Sequence, residues 1–172
     1  MDTTLEKILT STHKKDMISY LNANPACFEE LICLALSDKN PFSWRAAWLM
    51  WSCMEENDKR VIRFVPELIG ILSERPDNQK RELLKILWVM NIDETSEGLL
   101  FDQCVAIWEQ LNHQPSVRFN AFRLLIKIVK KHPELAEEIV TLTEPQYMET
   151  LSPGVRKSIL KMMLRSGVSR AF

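Results

Sequence analysis

Apolar residues recur at helical spacing in four parts of the chain, each following a basic residue. The four basic reference residues are Arg45, Lys80, Arg118 and Arg156. The residues three, four and six places after each of them are all apolar: Trp48, Leu49, Trp51, Leu83, Leu84, Ile86, Ala121, Phe122, Leu124, Ile159, Leu160 and Met162. Such spacing places apolar side chains on one side of a helix. The pattern therefore predicts four amphipathic helices. The aligned positions three, four and six after the reference residues form three columns of expected core residues.

A second apolar stretch precedes these helices and makes the repeating unit a helix pair. Residues 61–72 and 100–111 align with each other at a shift of 39. We therefore expect a helix A, a short turn and a helix B in each unit. Pro66 lies inside the first of these A helices, where a proline is expected to kink the helix.

The predicted boundaries are repeats at 25–57, 58–92, 93–132 and 133–167 within one domain of residues 1–172. Apolar residues in 1–24 predict a cap of two short helices, since terminal repeats must cover the core. Gly167 is expected to end the final helix, and residues 168–172 to form a tail. We see no linker long enough to divide the chain into two domains.

The helix pair resembles HEAT-like (armadillo-type) repeats. The best match is residues 61–90, with Pro66 in helix A and a basic residue early in helix B. The sequence departs from the family pattern in one respect: the aspartate typical of the turn in such repeats is absent before Arg118 and Arg156. The resemblance covers about residues 25–167. It implies an all-α fold, a right-handed α-solenoid of about four HEAT-like helix pairs with B helices on the concave face. It implies no activity, because a fold does not determine a function.

Composition and charge narrow the class of protein. Hydrophobic residues make up 46% and charged residues 26%, the net charge is −1 and only 4 residues are Gly, which indicates a helical globular domain. No apolar run approaches the ~20 residues of a membrane span, and the N-terminus does not resemble a signal peptide. The four cysteines lie in apolar runs and read as buried free thiols. We therefore expect a cytoplasmic protein.

Charge alternates between the helices of the last two repeats. Residues 93–111 and 133–151 each hold five acidic and no basic residues, whereas 115–132 and 152–172 each hold five basic and no acidic residues. Positions five and nine after the reference residues fall outside the core columns, so we expect their side chains to face solvent. If the helices are the B helices of HEAT-like repeats, these side chains lie on the concave face and form a binding surface. The residues of this predicted binding surface are Met50, Met54, Lys85, Arg123, Lys127, Lys161 and Arg165.

Two interpretations of this surface stay open. A concave basic surface attracts an acidic partner, here an acidic or amphipathic segment of another protein or, as the alternative, a nucleic acid or other polyanion. The charges can instead be an ordinary solvated face, because exposed ion pairs contribute only ~0–1 kcal/mol. The residues Met162 to Leu164 also suggest a homodimer through the final helix.

The reference basic residues and the tryptophans have structural interpretations. Arg45, Lys80, Arg118 and Arg156 are expected to pack their stems and bridge neighbouring repeats through turn carbonyls or carboxylates. Trp44, Trp48 and Trp51 share one helix face and are expected in the core, with an aromatic platform for a base or an apolar ligand as the alternative. Trp88 and Trp108 are also expected in the core.

Catalytic and cofactor motifs are missing from the sequence. No nucleophile elbow, phosphate loop, dinucleotide fingerprint or zinc motif occurs. We therefore expect a non-enzymatic interaction scaffold without a cofactor or metal. Some HEAT-like proteins are DNA glycosylases that use aromatics, basic residues and a carboxylate on the concave face. Glu82 is the nearest carboxylate expected to point outward, and it makes this the least favoured alternative.

Overall fold

The computed structural model describes residues 2–168, and all regular structure in that range is helical. The all-α prediction is therefore confirmed. The α-helices of these residues are α1 (Thr4–Ser11), α2 (Lys14–Ala23), α3 (Cys27–Leu36), α4 (Phe42–Cys53), α5 (Val65–Gly70), α6 (Asp77–Val89), α7 (Glu94–Glu109), α8 (Pro115–Val129), α9 (Ala136–Thr141), α10 (Pro145–Met148) and α11 (Pro153–Ser166). Short 3-10 segments at Ile62–Phe64, Leu72–Glu74 and Pro133–Leu135 flank α5 and precede α9.

The chain forms two compact units, Met1–Ile92 and Asp93–Phe172. In the N-terminal unit α3 packs on α4, α4 packs on α6, and α1 and α2 both contact α4. Leucines from successive helices, including Leu31, Leu49 and Leu83, are fully buried there. The helix pairs thus share one continuous core, in which α4 is the central helix.

The C-terminal unit is built around α8, which contacts α7, α9 and α11. Trp108 of α7 and Phe122 of α8 are fully buried, with ring centroids 4.6 Å apart. The indole Nε1 of Trp108 donates to the carbonyl oxygen of Leu142 at 2.7 Å. The prediction that Trp108 lies in the core is confirmed, and its one polar group has a partner.

Local side-chain chemistry sets several helix ends. Thr3 and Glu6 form a capping box at the start of α1, and the Asp93 carboxylate accepts from Ser96 N at 3.0 Å at the start of α7. Gly167 ends α11 with φ 74°, a left-handed conformation that glycine adopts without a steric cost. The predicted stop is confirmed, and of the predicted tail only Val168 lies within the described residues.

Pro66 does not kink a continuous helix, and that prediction is wrong. The predicted helix over 61–72 consists of a 3-10 segment, the short helix α5 and a second 3-10 segment. Pro66 lies in the first turn of α5. Proline fits there because its missing N–H would have no partner within the helix.

The predicted core columns hold in the middle of the chain and fail at two positions. Leu83, Leu84, Ile86, Ala121, Phe122 and Leu124 are fully buried. Trp48 and Met162 are half-buried. Trp51 and Leu160 are exposed, so their assignment to the core is wrong. These exceptions lie on α4 and α11, which carry the two candidate surfaces.

Candidate functional site

The first candidate surface lies on α11. This helix contacts α8 and buries Ile159 and Met163, and its other side faces outward. On that side Leu160 is 50% and Leu164 is 67% exposed. The two leucines are four residues apart and therefore adjacent on the helix surface. They form an exposed apolar pair.

Three cations surround this pair. Arg156, Lys157 and Lys161 line the same open groove of about 630 Å³ together with Pro153 and the two leucines. Lys157 and Lys161 are exposed and Arg156 is half-buried. We call Arg156, Lys157, Leu160, Lys161 and Leu164 the α11 surface. It joins an apolar centre to a positively charged rim.

The basic residues predicted for binding differ in accessibility. Lys161 and Arg165 on α11 are exposed, whereas Arg123 and Lys127 on α8 are half-buried. Arg123 Nη1 donates to the side-chain oxygen of Asn120 at 3.3 Å. Burial lowers the pKa of Arg123. The α11 residues are thus the more accessible part of the predicted set.

The expectation that Met50 faces solvent is wrong. Met50 is fully buried, and Met54, the cap residue that directly follows α4, is half-buried. Trp51 is exposed instead, and Lys85 Nζ lies 5.0 Å from its ring centroid. Successive side chains on a helix point about 100° apart. An error of one residue in aligning α4 with the other repeats therefore exchanges the predicted core position of Trp51 with the predicted surface position of Met50.

The second candidate surface follows from that exchange. Trp51 is 38% exposed, and Trp44 and Trp48 on the same side of α4 are half-buried. Each ring has a cation beside it: Lys14 Nζ is 5.2 Å from Trp48, the Arg45 guanidinium carbon is 5.1 Å from Trp44, and Lys85 Nζ is 5.0 Å from Trp51. We call these six residues the tryptophan surface. The three tryptophans do not form a core cluster, and that prediction is wrong.

Two of the reference basic residues bridge helices as predicted. Arg45 Nη1 donates to the carbonyl oxygen of Leu9 at 2.9 Å. Arg118 donates to the carbonyl oxygens of Trp108 and Tyr147 at 2.8 and 2.6 Å and to the Thr150 hydroxyl at 2.9 Å. Its side chain is buried, and that burial lowers the pKa of the guanidinium group. The role of these residues is therefore structural.

Lys80 and Arg156 depart from that pattern. Lys80 is buried, which lowers the pKa of its ammonium group. The bridging contacts come from its neighbour Gln79, whose Nε2 donates to the carbonyl oxygens of Ala35 and Ser37, both at 2.9 Å. Arg156 lines the groove on α11. Sequence reasoning missed Gln79 because only basic residues were considered for this role.

A buried carboxylate in the C-terminal unit was also missed. Glu97 of α7 is buried and pairs with Lys131 and with His132 Nε2, the latter at 3.0 Å. Burial opposes ionisation of Glu97, but the hydrogen bonds from Lys131 and His132 outweigh it and its pKa lies below the ordinary value. The hydrogen bond that protonated His132 donates to the Glu97 carboxylate raises the pKa of His132. The cluster joins α7 to the residues that follow α8.

Comparison with known proteins identifies the family. A family model described as a HEAT repeat domain matches residues 1–165. The chain belongs to the HEAT repeat family. No curated protein and no solved structure matches it. HEAT repeats commonly serve as protein-interaction scaffolds, and the two exposed surfaces of this HEAT repeat domain are its candidate interaction sites.

The carboxylate required by the glycosylase alternative does not point outward. In this HEAT repeat domain Glu82 is 1% exposed, and its carboxylate pairs with Arg81 Nε at 2.8 Å and Lys85 Nζ at 3.1 Å. Those two cations occupy the carboxylate oxygens. The expectation that Glu82 is an outward carboxylate is wrong, and the glycosylase alternative loses its proposed catalytic group.

The residues that could ligate a metal ion do not come together in residues 2–168. No group of three His, Cys, Asp or Glu residues in that range is placed to hold a metal ion. The four cysteines are free thiols, but only Cys104 is buried, whereas Cys33 is exposed and Cys27 and Cys53 are half-buried. Burial as predicted thus applies to Cys104 alone. None of the described helices is long and apolar enough to cross a membrane.

Proposed function

We propose that this HEAT repeat protein is a non-enzymatic scaffold that captures an acidic amphipathic helix of another protein on the α11 surface. The observation that carries the proposal is the exposed Leu160–Leu164 pair inside a rim of three cations. An apolar pair at i and i+4 suits a helix that brings its own apolar stripe. The cationic rim favours acidic residues beside that stripe.

A second copy of the chain is a poorer occupant of this surface. In a twofold dimer the same patch meets itself. Arg156, Lys157 and Lys161 would then face their own copies, and like charges brought together at an interface are unfavourable. The homodimer interpretation of the final helix therefore gives way to a partner of opposite charge.

Polyanion binding at the same place would use the cations and leave the leucines without a function. An exposed leucine that becomes fully buried contributes roughly 1.5–3 kcal/mol. A nucleic-acid backbone offers no apolar surface to bury it. The leucines are thus the residues that distinguish the two interpretations.

The test uses a fluorescein-labelled synthetic helix with leucines at i, i+4 and i+7 and glutamates beside them. We expect the wild-type chain to bind it and Leu160→Ser/Leu164→Ser to weaken binding about tenfold or more, since two buried apolar contacts are lost. Lys157→Glu/Lys161→Glu should weaken binding similarly and remove most of its salt dependence. Fluorescence anisotropy at 50 and 200 mM salt measures both.

The charge-matched control is Lys7→Glu/Lys15→Glu, which changes two exposed lysines in the N-terminal unit. It should bind the peptide like wild type. Peptide binding that neither α11 variant weakens would reject the proposal. Binding of a 20-base-pair duplex that is lost with the lysine variant and retained with the serine variant would replace it with the polyanion alternative.

A further inference from the structure

The tryptophan surface is assembled from three neighbouring helices of the N-terminal unit. Trp44, Trp48 and Trp51 lie on α4, Lys14 comes from α2 and Lys85 from α6, and α2 and α6 both contact α4. The surface is thus a row of three aromatic rings, each with one cation beside it. It lies outside the α11 surface, which belongs to the other unit.

Exposure of this row is not required by the packing of α4. The helix already buries Ala46, Ala47, Leu49 and Met50 against its neighbours. A tryptophan that serves only the core is buried and hydrogen-bonded, as Trp108 is. The row instead presents ring surface together with positive charge, which is the combination that binds unpaired bases and their phosphates.

The spacing along α4 favours a single strand over a duplex. With a rise of 1.5 Å per residue, Trp44 and Trp48 are about 6 Å apart along the axis and Trp48 and Trp51 about 4.5 Å. Both distances exceed the 3.4 Å spacing of bases along a duplex strand. Aromatic side chains reach base faces only where the bases are unstacked. The row therefore suits an extended strand whose bases are splayed.

A small groove at one end of the row extends the surface toward α1 and α2. It has a volume of about 240 Å³ and is lined by Trp44, Trp48, Lys14, Arg45 and His13 among others. Lys14 and His13 are exposed. These side chains offer N–H donors beside the rings, as a phosphate next to a stacked base requires.

The cations beside the rings are compatible with a bound strand. Exposed cation–π contacts are weaker than the stacking of a base on an aromatic side chain. Lys14 is exposed, so its ammonium group can turn from the Trp48 ring to a phosphate. A base then takes the place of the ammonium group on the ring.

We propose that the tryptophan surface is a binding site for single-stranded nucleic acid, with bases stacked on Trp48 and Trp51 and a phosphate held by Lys14, whereas Lys85 stays paired with Glu82. Stacking on aromatic rings accepts any base, so the site binds with little sequence preference. The interaction is distinct in place and in chemistry from peptide capture on α11.

The experiment measures binding of the full chain to fluorescein-labelled dT12 and rU12 by anisotropy and by quenching of tryptophan emission, at 50 and 200 mM salt. We expect binding at 50 mM salt, quenched emission and weaker binding at 200 mM salt. Trp51→Leu should weaken binding roughly 5- to 100-fold, the range found for the loss of one stacked base. Trp51 is exposed and near the end of α4, so the variant is expected to fold.

Lys14→Glu tests the phosphate contact, with Lys15→Glu as its matched control on the adjacent exposed residue. Lys14→Glu should reduce the slope of log K against log salt by about 0.7 or more, the value for one phosphate of a single strand. Lys15→Glu should change it much less. Far-UV circular dichroism and a thermal melt establish that each variant is folded.

Several results would overturn the proposal. No binding to either oligonucleotide at 50 mM salt, or binding that Trp51→Leu leaves unchanged, would do so. Equal binding of polyglutamate would indicate an acidic-peptide site or a charge effect only. Loss of oligonucleotide binding in Lys157→Glu/Lys161→Glu, with Lys14→Glu unaffected, would move the site to α11. Peptide capture by α11 is measured separately, so either proposal can fail alone.

Discussion

The joint at Arg118 in the C-terminal unit and the joint at Gln79 in the N-terminal unit use different chemical groups, although in the N-terminal unit Arg45 and Arg75 also donate to carbonyl oxygens, both at 2.9 Å. In the C-terminal unit the buried guanidinium of Arg118 donates to three oxygens. In the N-terminal unit the neutral amide of Gln79 donates to two carbonyl oxygens, and its own Oε1 is buried without a partner among the described residues. A buried charge gains stronger hydrogen bonds but loses its hydration. The two joints should therefore respond differently to mutation.

The largest effect is expected for Arg118→Met. This change removes three hydrogen bonds from a charged donor and leaves two carbonyl oxygens without it. Hydrogen bonds to charged groups contribute about 1.5–3 kcal/mol each, and the relief of desolvation offsets part of that sum. We expect the C-terminal unit to lose about 3 kcal/mol of unfolding free energy.

Urea unfolding followed by circular dichroism measures this loss. Arg118→Lys keeps the charge but has fewer donors, so it should recover only part of the stability. A change below about 1 kcal/mol in the methionine variant would mean that the guanidinium contributes little to the joint, as replaced buried charges sometimes do.

A smaller effect is expected for Gln79→Leu. The substitution removes two neutral hydrogen bonds of about 0.5–1.5 kcal/mol each, and it also removes the buried Oε1 that has no partner. We expect a net loss of about 1 kcal/mol from the N-terminal unit. Equal losses in Gln79→Leu and Arg118→Met, measured under the same urea conditions, would contradict the comparison of the joints.

The smallest effect is expected for His132→Gln, and it should depend on pH. The hydrogen bond that protonated His132 donates to the Glu97 carboxylate raises the pKa of His132. The contribution of His132 to stability is therefore full below the ordinary pKa of 6.5 and disappears as pH rises through the folded-state value. Glu97 has a lowered pKa, so its contribution is present above 4.5 and disappears as pH falls through its folded-state value.

The cluster should therefore stabilise the C-terminal unit most between about pH 4.5 and 6.5. Thermal melts of wild type and His132→Gln should differ most in that window and converge toward pH 8.5. A difference in melting temperature that is constant from pH 5 to 8.5 would show that protonation of His132 is not involved.

The sequence predicted the helical class and much of the core because apolar periodicity carries that information. The columns through α6 and α8 were placed correctly, as Leu83 and Phe122 show. The register of α4 was wrong by one residue, since shifting the alignment by one still gives mostly apolar matches. This error of one residue exchanged the predicted burial of Met50 and Trp51, and the tryptophan surface was therefore predicted only as the alternative.

The α11 surface was predicted in part. Its charges were visible, because Lys161 stands where periodicity predicts a solvent position. Its apolar centre was not predicted, because Leu160 falls in a core column. Periodicity cannot distinguish a leucine that a neighbouring helix covers from a leucine that is exposed to solvent. Glu97 was missed for another reason: its partners lie more than 30 residues away in sequence.

The buried thiol of Cys104 makes opening of the C-terminal unit measurable without any substitution in the chain. Burial raises the pKa of this thiol, and a thiol reacts with alkylating agents as its thiolate. Alkylation of Cys104 therefore requires α7 to separate from its neighbours, whereas Cys33 on α3 is exposed. The ratio of the two modification rates, read by mass spectrometry of the native chain, reports how often the C-terminal unit opens.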